Sequence, residues 1–341
     1  MKRTGDLKKL WCTYENLYAA FLEVKKRKSY HKNFIAYENN LAVNLSDLLQ
    51  RLEEGTYRTR PYRSFYVYDP KQRLIEAPYL EDRIVQHALL RATRKLIENR
   101  FIGATYACIK KRGTHAASDK LQQMLKQFRG GYYLKIDIKK YFYSIPHNVV
   151  SRLLSQIIKC RHTLKLFNLF LADAKNGIGL PLGSVTSQVL ANLALNSLDH
   201  FIKRVLRIKY YVRYMDDMVL LHADKSFLRY ALDRIRTVVV ELGLSLNNKT
   251  KISQIAEGID FVGYRTRWNS RIIRKRSLFK IKRTVKKDAS IQRISSYLAH
   301  AKETASLEYV CRLIAEVIKD NREFLKYWLH KNVKGELCLS I

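Results

Sequence analysis

Tyr210–His222 reads YYVRYMDDMVLLH. Two short apolar runs rich in strand-forming residues flank a polar turn, so the stretch predicts a β-hairpin. Its turn carries two adjacent carboxylates, Asp216 and Asp217. Asp is common in turns because its side chain bonds nearby backbone amides, so a plain turn is one reading. Working back along the chain, Leu134–Ile138 reads LKIDI, an apolar strand interrupted by Asp137. A buried carboxylate is costly unless it is partnered. A Lys or Arg is one possible partner, and a divalent cation is the other. If the strand carrying Asp137 lies beside the 214–217 hairpin, three carboxylates converge. Oxygen-only donors suit Mg2+, which completes its shell with water and phosphates. Two such ions would activate a 3′-hydroxyl and stabilise departing pyrophosphate.

The whole-chain charge agrees with a phosphate-rich substrate. The 341 residues hold 64 Lys and Arg against 30 Asp and Glu, a net charge of +34. Such an excess repels itself in a compact fold, and a polyanion relieves it. Nucleic acid is the expected partner, through phosphate neutralisation and counterion release. An anionic membrane fits less well, because the basic residues are spread along the chain. The 22 Tyr and 13 Phe add rings for base stacking. An apolar share of 47% excludes a wholly disordered chain. No apolar run reaches the length of a membrane span, and the N-terminus shows no secretory signal. The five widely spaced cysteines, Cys12, Cys108, Cys160, Cys311 and Cys338, lack any C-x-x-C, so reduced thiols in the cytoplasm are expected.

Periodicity predicts helices over 6–28, 33–54, 82–100, 116–128, 147–158, 163–172, 184–206 and 226–242, with two or three more between 290 and 332. Gly55 should stop the second of them. Residues 62–78 read as two strands around Asp69-Pro70, and 103–111 look extended. KTKISQ and IDFVGYR read as short strands. The class is α+β, with helices on one side of small antiparallel sheets. Between Arg267 and Lys287 there are ten Lys or Arg and no acid, which marks a binding face or a solvated one.

Seven strings in one order, over about 60–265, resemble reverse transcriptases. RLIEAPYLEDRIVQHAL (73–89) and TYACIKKRGTHAA (105–117) resemble the fingers motifs of bacterial, group II intron-like enzymes. DIKKYF (137–142), GLPLGSVTSQ (179–188), YMDD (214–217), LNNKTKI (246–252) and FVGY (261–264) resemble the palm motifs and primer grip. One string departs from the commoner pattern Q-G-x-x-x-S-P: Leu182 replaces Gln and Gln188 replaces Pro. That pattern resembles the reverse transcriptases of diversity-generating retroelements, which make mutated cDNA of a template-repeat RNA.

The resemblance implies a right-hand polymerase, with N-terminal helices and fingers over 1–130, palm over 131–266 and a basic segment with helical thumb over 267–341. Residues 265–341 suffice for that thumb and leave no room for a sizeable maturase or integrase domain. It implies an RNA-directed DNA polymerase with error-prone output at template adenines. Asp137, Asp216, Asp217 and the Ile138 carbonyl would hold two Mg2+ ions, with Mn2+ as a substitute. Phe142 matches the steric gate against a 2′-hydroxyl, or is a core ring. Arg73, assisted by Lys71, would grip the incoming dNTP beside Leu182, Gly183 and Gln188, unless both basics sit on a solvated hairpin. Lys249 matches the lysine that protonates pyrophosphate, or lies idle on the surface. Phe261, Val262, Gly263 and Tyr264 would abut the primer, or form a plain strand with a bulge. Arg274, Lys275, Arg276, Lys280 and Lys282 would follow the backbone of the RNA/DNA duplex. Expected partners are template RNA and a small basic accessory protein, which the resemblance allows to be oligomeric, in the cytoplasm of a bacterium or encoded by a phage. The alternatives are another group II-derived bacterial enzyme, of intron or phage-defence type, and a non-catalytic RNA-binding protein with the same fold.

Overall fold

The computed structural model describes residues 3–26, 32–68, 72–172, 175–287, 290–317 and 327. Lys71 and Cys338 lie outside the described residues, as does the part of the predicted C-terminal helices beyond 317, Tyr327 excepted.

The N-terminal periodicity resolves into two helices, Lys8–Trp11 and Tyr14–Lys25. Thr13 separates them: its backbone is extended and its hydroxyl accepts the Asn16 amide, an N-cap that restarts the helix. The next predicted helix also divides, into Lys32–Asn39 and Leu41–Glu54, and ends at Gly55 in the left-handed conformation. Strands β1 (Arg63–Val67) and β2 (Arg73–Ala77) form an antiparallel hairpin with Phe65 opposite Ile75. The helix Leu80–Glu98 follows it and packs against the helix Tyr14–Lys25. Residues 103–111, predicted extended, form turns instead, with one parallel bridge to the sheet, between Thr105 and Arg213.

The helix Thr114–Gln127 leads into β3 (Tyr132–Ile136). With β4 (Tyr210–Tyr214), β5 (Asp217–His222) and β6 (Lys251–Gln254) it builds an antiparallel sheet of order β4-β5-β3-β6. β3 stops at Ile136. Lys140 adopts a left-handed conformation, and Tyr141–Ser144 coil into one helical turn.

Helices cover both faces of this sheet, rather than one. Leu134, Ile136, Met218 and Leu220 pack into the large core with Leu228 and Ile235 of the helix Lys225–Glu241. Tyr133, Val212, Val219 and Leu221 pack on the other face with Leu121 and Leu125 of Thr114–Gln127 and Phe261. The reason is visible in the strands: both alternating sets of residues are apolar, so neither face can be left to water.

The predicted long helix 184–206 breaks into Val185–Ala194, Asn196–His200 and a wider π turn, Phe201–Val205. A third sheet, β7 (Ile259–Phe261), β8 (Tyr264–Thr266) and β9 (Arg271–Ile273), follows β6 in the chain. Tyr264 and Ile273 join a separate apolar cluster with residues of the helices Lys275–Lys287, Ile291–Ala301 and Leu307–Val317. Among the described residues no helix is long and apolar enough to cross a membrane.

Candidate active site

The β4–β5 hairpin turns tightly. Tyr214 pairs with Asp217, which leaves Met215 and Asp216 as a two-residue loop. Met215 carries φ of 55°, a left-handed conformation that a residue with a side chain adopts at a cost. The β3–β5 register sets Ile136 opposite Met218, and one step further brings Asp137 opposite Asp217. On the other edge of β3, Asn247 donates to the Asp137 carbonyl at 2.8 Å and Lys139 donates to the Ser245 carbonyl at 2.9 Å. Backbone groups of successive strand residues point to opposite neighbours. The Ile138 carbonyl therefore faces the hairpin side, where the carboxylates are.

Asp216 is pushed up to about 6, by burial first and then by the like charges of Asp137 and Asp217; its own backbone amide and Arg73 oppose the rise. Arg73 at the start of β2 thus acts on the same carboxylate that the hairpin presents. Burial also raises Asp217, although the Lys135 ammonium opposes it. Lys135 Nζ stands 3.0 Å from Oδ1 of Asp217 and 3.3 Å from Oδ2, with hydrogen-bond geometry only to Oδ2. The buried Oδ1 makes no hydrogen bond among the described residues. Lys135 also donates to the Asp260 carbonyl and lies over the Phe261 ring, tying Asp217 to β7. Among the described residues no group of three or more His, Cys, Asp or Glu side chains forms a ready metal cage.

The loop before Val185–Ala194 meets the β1–β2 hairpin. Glu76 donates its backbone N–H to the Leu182 carbonyl at 2.6 Å. Gly183 has φ of 125°, and a Cβ there would lie 2.7 Å from the Glu76 carbonyl, so only glycine permits this approach. Ser184 caps the helix and donates to buried Gln86 of Leu80–Glu98 at 3.0 Å. Leu182 is half-buried and Gln188 exposed. Phe142, also half-buried, packs edge-on against Tyr141, and its carbonyl accepts the Leu180 amide at 2.7 Å. Strand β2, the 180–184 loop and residue 142 therefore meet.

The expectation for 261–264 needs correction in one respect. Phe261 and Tyr264 pair across a two-residue turn, and both rings are buried. Only Val262 and Gly263, both at positive φ, form the tip. The Val262 amide also acts on Asp217. The predicted basic residues share a groove of about 1110 Å³ with Lys249 and Arg265: Arg274, Lys275, Arg276, Lys280 and Lys282 all line it. Lys249 is exposed there, in the groove rather than against the carboxylates.

Two participants escaped the sequence reading, Lys135 and Arg213. Each had a signal. Lys135 lies two residues before Asp137, and thus on the same face of the strand. Arg213 is a charge inside the apolar run YYVRY, which calls for a buried partner; that partner is Asp199 at 2.6 Å.

A sheet presenting paired acids at a hairpin, beside a basic groove, defines a palm of the nucleic-acid polymerase kind. Residues 68–266 match the reverse transcriptase (RNA-dependent DNA polymerase) family, and the chain belongs to it. It is 28% identical over 289 residues to protein YkfC of Escherichia coli K12, covering 70% of this chain and 74% of that one. It is 27% identical over 178 residues to the group II intron-encoded protein LtrA of Lactococcus lactis subsp. cremoris, covering 49% of this chain but only 29% of LtrA. Among solved structures, apo telomerase from Candida tropicalis superposes with a TM-score of 0.51 at 12% identity, over 88% of this chain and 65% of that one. The telomerase from the same organism with a TWJ fragment of telomeric RNA gives 0.50 at 13%, over 87% and 58%. At such identity the likeness is one of fold.

Proposed function

We propose that this reverse transcriptase copies RNA into error-prone cDNA, in the manner of diversity-generating retroelement enzymes. The observation that carries the reading is the loop–helix string Leu182 to Gln188. A Gln amide at position 182 would donate and accept hydrogen bonds beside the nucleotide; Leu offers shape alone. A pocket that merely packs separates similar ligands by about 1–3 kcal/mol, so discrimination between correct and mispaired geometry falls. The contact between Leu182 and β2, the strand of Arg73, supports a place at the nucleotide pocket. The physics accounts for lower fidelity and not for a bias towards adenine.

In this reading Asp137, Asp216, Asp217 and the Ile138 carbonyl hold divalent cations, Mg2+ or Mn2+. The donor set suits hard cations: carboxylate and carbonyl oxygens, one of them the buried Oδ1 of Asp217, which accepts no hydrogen bond among the described residues although Lys135 Nζ stands 3.0 Å away. Bound there, the ions would supply charge to the attacking 3′-hydroxyl and the leaving pyrophosphate. Arg73 is suited to the triphosphate because its planar fork matches phosphate oxygens, and Lys71, two residues before it in the sequence, would assist. Phe142 would exclude a 2′-hydroxyl. Lys249, exposed in the groove, would protonate pyrophosphate. Val262 and Gly263 would meet the primer end. The basic face of Lys275–Lys287 would follow the duplex, which needs charge rather than base contacts. Fingers, palm and thumb over 1–130, 131–266 and 267–341 are the corresponding division, and the +34 charge leaves room for RNA and a basic accessory protein to share the particle.

The test is sequencing of cDNA made on one RNA template by wild type and by Leu182→Gln, with the accessory protein present. Wild type should misincorporate, chiefly opposite adenine, and the variant less so. Equal and clean spectra would favour a group II-type enzyme without a mutagenic role.

A further inference from the structure

We infer that Arg213 is a positioning residue of the polymerase reaction, holding the strained Met215–Asp216 turn so that Asp216 faces Asp137. The inference rests on the reading of the hairpin as the reaction centre.

Arginine has five N–H donors in a rigid fork. In the wholly buried Arg213 all five are used. Nε and Nη2 donate to the two Asp199 oxygens at 2.7 and 2.6 Å. Nη2 also donates to the Asn192 carbonyl at 3.3 Å, and Nη1 to the Asn192 side-chain oxygen at 3.1 Å. The fifth donor, on Nη1, reaches the Met215 carbonyl at 3.1 Å. Met215 is the residue at positive φ, immediately before Asp216. A left-handed residue persists only where its surroundings enforce it. Here a guanidinium grips its carbonyl.

The anchor for that grip is drawn from three segments. Asp199 also accepts from Tyr211 at 2.6 Å and from Thr105 at 3.1 Å. Asn192 lies one helical turn beyond Gln188 and donates to the Ala107 carbonyl at 2.6 Å. The turn is thereby fixed to the helix that follows the Leu182 loop and to the segment after the fingers helix Leu80–Glu98. Stability alone does not call for this design, since apolar residues of similar volume often replace a buried ion pair without loss. What apolar residues cannot do is bond a carbonyl in one orientation.

Arg213→Lys keeps a charge for Asp199 but lacks the fork. The double variant Arg213→Leu with Asp199→Leu removes both charges, so no buried ion is left alone. Two readouts apply to the full chain. The first is kcat and KM for primed RNA and dNTP; the second is the 13C-methyl spectrum of its four methionines, Met1, Met124, Met215 and Met218. In either variant kcat should fall about 100-fold, the scale of a 1 Å misplacement, with KM values within about threefold. The Met215 methyl signal should shift or broaden while that of Met124 stays. Leu298→Ala, a truncation in the separate apolar cluster of the C-terminal helices, should lower thermal stability without moving Met215. A folded variant with wild-type kcat and an unmoved Met215 signal overturns the inference. Should the wild-type chain fail to polymerise, the Met215 signal still decides, so the two readings fail separately.

Discussion

Asp216 ionises at a cost to the metal-free fold, and removing that cost should stabilise the protein while destroying its activity. Its carboxyl is raised from an ordinary value of 3.8 to about 6 by burial and by Asp137 and Asp217. About two pKa units correspond to about 3 kcal/mol. The sign follows from linkage: the folded state holds the proton more tightly, so stability falls as pH rises from about 4 to about 6, and the full penalty stands above that window. Asp216→Asn mimics the neutral form. In chelator at pH 8 it should therefore gain up to about 3 kcal/mol, or about 5 °C in Tm for a chain of this size. The gain should shrink to nothing near pH 4, where wild type is itself protonated. Adding Mg2+ should raise the Tm of wild type more than that of the variant, because binding to the folded state alone stabilises it. Calorimetry or dye-monitored melting across pH gives all three comparisons. A variant no more stable than wild type at pH 8, or equally stabilised at pH 4, would refute the view that burial, with like-charge crowding added to it, makes an ionised Asp216 costly here.

Neutralising Arg274, Lys275, Arg276 and Lys282 together should reduce the slope of log affinity for RNA/DNA duplex against log salt by about 3 to 4, near 0.9 for each phosphate no longer neutralised; filter binding at several salt concentrations measures it, and an unchanged slope would make the groove a solvated face. Gly183→Ala should raise KM for dNTP at least about tenfold, because the new Cβ would crowd the Glu76 carbonyl and part the loop from β2; steady-state kinetics on one template checks this. Phe142→Val should admit ribonucleotides, read as a fall in the dNTP over rNTP ratio of kcat/KM by about tenfold or more.

The carboxylate hairpin was legible because alternation of Val, Tyr, Met and Leu around YMDD is a local signal, and pairing of the two strands needs only a two-residue loop. Asp137 was legible as a misfit in an apolar strand. Where the reading erred, non-local packing was responsible. The helix 184–206 carries continuous helical periodicity, yet it breaks at Leu195. Asp199, beyond the break, serves Arg213, Tyr211 and Thr105 at once. Residues 103–111 looked extended because they are apolar and aromatic, but they turn, spending their backbone bonds on Arg213 and Asn192 instead of a ladder. Phe261 and Tyr264 looked like primer contacts. Their rings are more valuable inside two apolar clusters, leaving the tip to Val262 and Gly263. Lys135 was overlooked because one lysine in so basic a chain carries no signal until the strand register sets it beside Asp217.

The central claim is that this chain polymerises DNA on RNA with the acids of one hairpin and one strand. Primer extension on a heteropolymeric RNA template, with dNTPs and Mg2+, tests it most directly, comparing wild type with Asp137→Asn and Asp216→Asn. The account predicts full-length cDNA from wild type, and from each variant a loss of at least about 1000-fold with primed-RNA binding within about threefold, as expected when transition-state stabilisation alone is removed. Extension by either variant at a rate near that of wild type, or RNA binding without extension by the wild-type chain and its accessory protein, would contradict it.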